Sequence, residues 1–196
     1  MDENITPAAV PEKASARREI YDWLQSIVSA LLLCVLLFVF ITRLVTVNGT
    51  SMVPTLHNND RILISRLFYT PTAGDVVVLQ TDNYGEELLV KRIIATEGQT
   101  VDIDFSAGIV YVDGVALDEP YVYEPTYERE SFEGPLTIPE GYVFVMGDNR
   151  NHSLDSRSSQ VGLVDARSVM GKVYLVLFPG QDDYGAREFS RIGGVK

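Results

Sequence analysis

From Trp23 to Ile41 the chain reads WLQSIVSALLLCVLLFVFI, and beyond it the unbroken apolar run gives way to short β-branched segments. That change decides the fold. Nineteen residues without a charge, at about 1.5 Å per helical residue, cover nearly 30 Å, the thickness of a bilayer core. Tyr21 and Trp23 stand at its start, where interfacial aromatics are favoured. Lys13, Arg17 and Arg18 precede it, and Arg43 is the one basic residue just after it. This asymmetry places the N-terminus in the cytoplasm and the residues from 43 onward outside. A cleaved leader carries an apolar core of about 7–15 residues and a small-residue exit. Here the exit is Ile41-Thr42-Arg43-Leu44-Val45, so an uncleaved anchor is expected. The expected organisation is a short polar cytoplasmic tail (1–19), a transmembrane anchor (20–42) and an extracytoplasmic β-rich domain (43–196), single-pass in the plasma membrane.

Outside the anchor the strand signals are Leu44–Val47, Arg61–Ile64, Asp75–Leu79, Leu88–Ile94, Thr100–Ile103, Ile109–Val112, Tyr142–Met146 and Gly171–Leu177. Each is short, β-branched and bounded by turn residues. Asp113-Gly114 between Val112 and Val115 is a two-residue hairpin signal. Helical periodicity is confined to a turn near Asp165–Val169. The fold class predicted is mainly β, an antiparallel barrel or two-sheet domain after one N-terminal transmembrane helix. Asp118–Pro139, rich in Glu, Tyr and Pro, has no period and is expected as a long surface loop or a small mobile flap.

About 150 residues remain beyond the anchor, close to the usual size of one domain. A net charge of −11 argues against a nucleic-acid partner. The single cysteine, Cys34, lies inside the apolar run, so no intrachain disulfide can form. There is no His-x3-His or paired-cysteine spacing, and neither metal nor cofactor is expected.

Two segments carry chemistry. Leu88-Leu89-Val90-Lys91-Arg92-Ile93-Ile94 puts a lysine inside an apolar strand, where a charged amine is costly. Burial lowers the pKa of such an amine, and the neutral form can take a proton from a hydroxyl. On a strand, Leu89 and Ile93 share the face of Lys91 and supply that desolvation. The hydroxyl is Ser51, in Gly49-Thr50-Ser51-Met52-Val53-Pro54-Thr55-Leu56. A serine–lysine hydrolase held against a bilayer is the reading. A third segment, Gly147-Asp148-Asn149-Arg150-Asn151-His152-Ser153-Leu154-Asp155-Ser156-Arg157, gathers hydrogen-bonding groups that can orient an amine. On its own it reads equally as a turn of solvated charges.

In order and spacing, the anchor, the Ser51 segment, Gly74-Asp75-Val76-Val77-Val78, Val90-Lys91-Arg92 and the Gly147–Arg157 run resemble the bacterial type I signal peptidase family, most of all its compact Gram-positive branch. The resemblance covers roughly Trp23 to Pro179. It implies an endopeptidase that removes signal peptides from exported preproteins at the outer membrane face. It further implies Ser51 as nucleophile and Lys91 as general base, with Leu79 and Val145 shielding the amine and Ser153 hydrogen-bonded to it. Asp148 would pair with Arg92, and Asp155 with Arg157. Val45, Val47, Met52 and Val90 would form shallow apolar pockets for small residues before the cut. The partners implied are preprotein signal peptides and the lipid bilayer, and the enzyme would be monomeric. Some members carry an oxyanion-binding serine two residues before the nucleophile. Gly49 stands there, so a side-chain donor is missing, while the Ser51 backbone N–H stays available.

Other readings compete. His57 or His152 could serve a Ser-His-Asp triad, although both lie in Asn-rich polar loops. Tyr121, Tyr123 and Tyr127 suit packing or headgroup contact better than peptide recognition. The chain could instead process a narrow set of surface or pilus precursors. Self-cleaving repressors share the dyad but carry a DNA-binding domain and no anchor. A non-catalytic anchored peptide-binding module would have no use for both Ser51 and Lys91.

Overall fold

A computed structural model describes residues 12–81, 87–181 and 185–195. The chain divides into two compact units, Met1–Ile41 and Thr42–Lys196.

In the first unit one helix, α1, runs from Glu12 to Ile41. It begins within the stretch expected as tail, because Glu12-Lys13-Ala14-Ser15-Ala16-Arg17-Arg18 is mostly strong helix formers. Within it Arg17–Leu36 is apolar and long enough to cross a membrane, and none of that span is buried in protein. Trp23, Leu31, Leu32 and Phe38 are all exposed. A helix that is apolar on every side suits lipid surroundings.

The second unit is two antiparallel sheets, as the strand pattern predicts. The larger is built from β1 (Thr42–Thr46), β2 (Arg61–Ser65), β3 (Val76–Gln80), β4 (Leu88–Thr96), β9 (Tyr142–Met146), β10 (Val164–Asp165), β11 (Val169–Phe178) and β12 (Gly193–Gly194). Its order is β1-β2-β11-β3-β4-β9-β10, with β12 added to β11. The smaller holds β5 (Thr100–Asp104), β6 (Ile109–Val112), β7 (Val115–Ala116) and β8 (Leu136–Thr137) in the order β7-β6-β5-β8. Asp113 and Gly114 form the expected hairpin, with φ of 53° and 77° and Val112 facing Val115. The expected helical turn is a 3-10 turn at Ala166–Ser168.

β4 is central, flanked by β3 and β9. Its alternation sends side chains to opposite faces. Leu89 and Ile93 join Val77, Leu79, Val143 and Val145 in one apolar cluster. Val90 joins Val47, Met52, Leu56, Ile62 and Val78 in another. Beyond a bulge at Ile94, that residue and Ala95 pack with Phe144 and the small sheet's Val101, Ile103 and Val110. Three clusters thus meet at one strand, and it carries Lys91 and Arg92.

Asp118–Pro139 is mostly the exposed, irregular surface loop expected, with the short β8 near its end, and it is anchored at several points. Thr126, Phe132 and Ile138 are buried in it. Its backbone is stitched to the Gly147–Arg157 segment. Tyr123 N–H donates to the Asp148 carbonyl at 3.0 Å, Tyr127 and Glu128 N–H donate to Asn151 Oδ1, and Arg157 donates to the Glu128 carbonyl. Its polar composition concealed this, because most of the attachment uses backbone groups that every residue carries.

Candidate active site

The Ser51 segment follows β1 as a chain of turns closed at its ends by backbone bonds. Val47 N–H donates to the Asp60 carbonyl and Asn59 N–H to the Val47 carbonyl, both at 2.8 Å. Within this loop Ser51 meets Lys91, whose Nζ lies 2.6 Å from Ser51 Oγ. Lys91 is only 2% exposed. Burial lowers its pKa from 10.5 to about 8, and the nearby Arg157 charge acts the same way while Asp155 opposes it. An amine in this state is neutral in an appreciable fraction of molecules near pH 7–8, so the hydroxyl can donate to it. An open cleft leads to the pair, lined by Thr46 from the end of β1, Thr50, Leu88 and Leu89 from the start of β4, His152 and Leu154.

Arg92 faces the other way and is held on several sides. Its Nε and Nη2 donate to the two oxygens of Asp148 at 2.8 and 2.7 Å, and Nη1 donates to the Gly74 carbonyl. The guanidinium also lies 3.9 Å from the centre of the Tyr121 ring. The Thr55 hydroxyl donates to Asp148, which ties the Ser51 segment to the same pair. Arg157 makes a matching two-point contact with Asp155, both bonds at 2.9 Å. Gly147 N–H donates to Asp155. The Gly147–Arg157 segment is therefore no solvated turn: Asp148, Arg150, Asp155 and Arg157 are all at most 1% exposed.

The structure brings together Ser51 with Lys91, Arg92 with Asp148, and Asp155 with Arg157. Val47, Met52 and Val90 share one cluster, with Val45 packed against it. Leu79 and Val145 lie in the cluster on the Lys91 face. Ser153 differs from expectation. Its hydroxyl is buried without a hydrogen-bond partner, so the bond to the Lys91 amine is not formed. It sits against Gly147, where any side chain would run into the Ser153 hydroxyl and the Ser51 carbonyl. Close approach of these two backbones, rather than a serine–amine bond, is what this corner of the site requires.

Sequence reasoning missed several supports. Asn149 N–H donates to the Ser51 carbonyl at 3.0 Å and its Nδ2 to the Thr50 carbonyl at 3.2 Å, fixing the loop beside the serine. Arg150 pairs with Glu119 across 31 residues of sequence. Tyr121 packs on Arg92, while Tyr123 and Tyr127 are exposed. His57 lines a different cavity, beside Gly180, Glu188 and Arg191. Asn149 stands inside a segment already marked as polar, which was a usable signal. Arg150 and Glu119 share no local pattern.

The family model described as signal peptidase, peptidase S26, matches residues 20–178. Signal peptidase I of Bacillus licheniformis is 34% identical over 178 residues, covering 86% of this chain and 94% of that one. A probable signal peptidase I-1 of Synechocystis is 37% identical over 161 residues, covering 76% and 78%. A crystal structure of a signal peptidase I from Enterococcus faecalis V583 shares 29% identity, covers 53% of this chain and 97% of that one, and aligns with a TM-score of 0.45. With Ser51 paired to the buried Lys91 inside the matched region, the chain belongs to the S26 signal peptidase family of serine endopeptidases.

Proposed function

We propose that this protein removes N-terminal signal peptides from exported preproteins, using Ser51 as nucleophile and Lys91 as general base. The observation that carries the reading is the 2.6 Å contact between Ser51 Oγ and an amine that burial brings to a pKa of about 8. The neutral amine takes the hydroxyl proton as Oγ attacks the scissile carbonyl, then returns it to the departing nitrogen. Water, deprotonated by the same amine, hydrolyses the acyl-enzyme. The backbone N–H of Ser51, which donates to no described group, is a candidate donor to the oxyanion. Gly49 N–H is engaged by Asn58 Oδ1 at 3.0 Å and is not available for that purpose.

The cleft walls come from the ends of two strands, which suits an extended peptide. Val45, Val47, Met52 and Val90 form the apolar cluster that would accept small side chains before the cut. Asp148, Arg92, Asp155 and Arg157 act as structural supports of the site. The anchor holds the enzyme in the plasma membrane with its N-terminus in the cytoplasm, and the domain from residue 43 works at the outer face. Confinement of enzyme and signal peptide to the same membrane layer raises their effective concentration.

The test is cleavage of an Ala-x-Ala signal-peptide substrate by the full chain in detergent. Ser51→Ala and Lys91→Ala should each lose at least about 1,000-fold in kcat while folding normally, since nucleophile and base act as one unit. Lys91→Arg should fail as completely, because a guanidinium keeps its proton. Cleavage by Lys91→Arg at the wild-type rate sinks the general-base assignment.

A further inference from the structure

The C-terminal segment reaches the loop that carries Ser51 at its end, on the His57–Asp60 turn. After β11, Arg187 stacks over the Phe178 ring at 4.7 Å, Phe178 meets Phe189 edge-on, and β12 pairs with Leu175 and Val176 of β11. This strap delivers two groups to Asp60. Gly180 N–H donates to Asp60 Oδ1 at 2.7 Å, and the Arg191 guanidinium bonds both carboxylate oxygens. Asp60 is fully buried and also accepts from His57 N–H. Removing one partner of a buried ion pair is strongly destabilising, so Asp60 depends on Arg191 for its place in this turn.

Asp60 closes a four-residue turn, His57–Asp60, with Asp60 N–H donating to the His57 carbonyl. Gly180 packs on the Asn58 carbonyl with no room for a side chain. From this turn the Asn58 side chain reaches back to Gly49 N–H, at a residue whose φ of +94° only glycine adopts comfortably. Gly49 lies two residues before Ser51.

We propose that Arg191 is a positioning residue for the nucleophile, acting through Asp60 and Asn58 on the Gly49–Ser51 backbone. Among the described residues the strap makes no hydrogen bond or ion pair with Ser51 or Lys91, and it sets the height and angle at which Oγ meets the amine. The inference rests on Ser51 being the nucleophile.

Full-length protein in detergent is assayed on an Ala-x-Ala peptide, with kcat and KM measured well below each variant's Tm. Arg191→Ala and Asn58→Ala should each lower kcat by about 10- to 100-fold, the scale of a nucleophile misplaced by about 1 Å, with KM within about threefold. The double variant should be no slower than the worse single one, because both cut the same chain of contacts. Arg191→Lys should recover part of the lost kcat. Full kcat in folded Arg191→Ala, or losses that multiply in the double variant, overturns the brace. If Arg191→Ala does not fold, Asn58→Ala decides, and full kcat there overturns it as well. Ser51→Ala runs alongside: activity in that variant removes the nucleophile assignment, whereas a failed brace leaves it standing.

Discussion

The two faces of β4 carry adjacent basic residues, Lys91 and Arg92, that are 2% and 1% exposed. On the Arg92 face the charge meets a two-point carboxylate, a carbonyl and an aromatic ring. On the Lys91 face the amine meets a serine hydroxyl and an apolar cluster, with Asp155 near enough to be felt but committed to Arg157. Equal burial thus has two consequences. A satisfied cation becomes a structural rivet, and an unsatisfied one is driven toward its neutral form. The fold keeps Asp148 and Asp155 from neutralising Lys91 by giving each of these two an arginine of its own.

Removing the counterion of the rivet should have the largest effect on stability. Asp148→Asn leaves Arg92 buried without an anion and weakens the link from Thr55, so a loss of about 3–5 kcal/mol in unfolding free energy is expected in chemical denaturation. The double variant Arg92→Met/Asp148→Leu should recover part of that loss, since an apolar pair of similar bulk needs no compensation. A cost for Asp148→Asn below about 1 kcal/mol would place the pair among surface-like ion pairs and erase the contrast between the faces.

Lys91 should respond in the opposite sense. Its folded pKa of about 8 lies below the ordinary value of 10.5, which is about 3 kcal/mol against the charged form at neutral pH. Between pH 8 and 10.5 the unfolded chain holds the proton more tightly than the folded one, so stability rises with pH through that window. Below pH 8 the whole penalty remains. Lys91→Met should therefore stabilise the protein at pH 7 by up to about 3 kcal/mol, with the advantage fading by pH 10.5. In the wild type, kcat/KM should rise about tenfold per pH unit below pH 8 and level off above it. A destabilised Lys91→Met, or a rate flat from pH 6 to 9, would contradict the neutral-amine reading.

The same contrast separates what the sequence disclosed from what it hid. Lys91 was legible because a lysine among Leu, Val and Ile violates a local pattern, and the strands around it were legible by their β-branched runs. Two-residue strands such as Leu136–Thr137 and Gly193–Gly194 are too short to alternate, and glycines carry no strand preference. Asp60 and Arg191 meet across 131 residues, a pairing no local spacing announces. The unpartnered Ser153 hydroxyl could not be foreseen either, because hydrogen-bond geometry depends on how closely Gly147 lets two backbones approach.

His152 gives the smallest predicted effect and the sharpest limit on the comparison. Unlike His57 it lines the cleft that contains Ser51 and Lys91, which keeps a histidine base open on placement alone. A histidine base needs a partner that fixes its tautomer and stabilises the imidazolium, and a triad supplies a buried carboxylate for this. Among the described residues no carboxylate bonds the His152 ring: Asp148 and Asp155 are taken by Arg92 and Arg157, and Glu119 by Arg150. The ring is exposed at the end of a 3-10 turn. His152→Ala should therefore change kcat by less than about fivefold, with any larger change in KM, as expected of a cleft wall that touches substrate equally in ground and transition states. A loss of about 1,000-fold in kcat would transfer the base from the strand to the loop, and Lys91 would then be only a buried amine beside a serine.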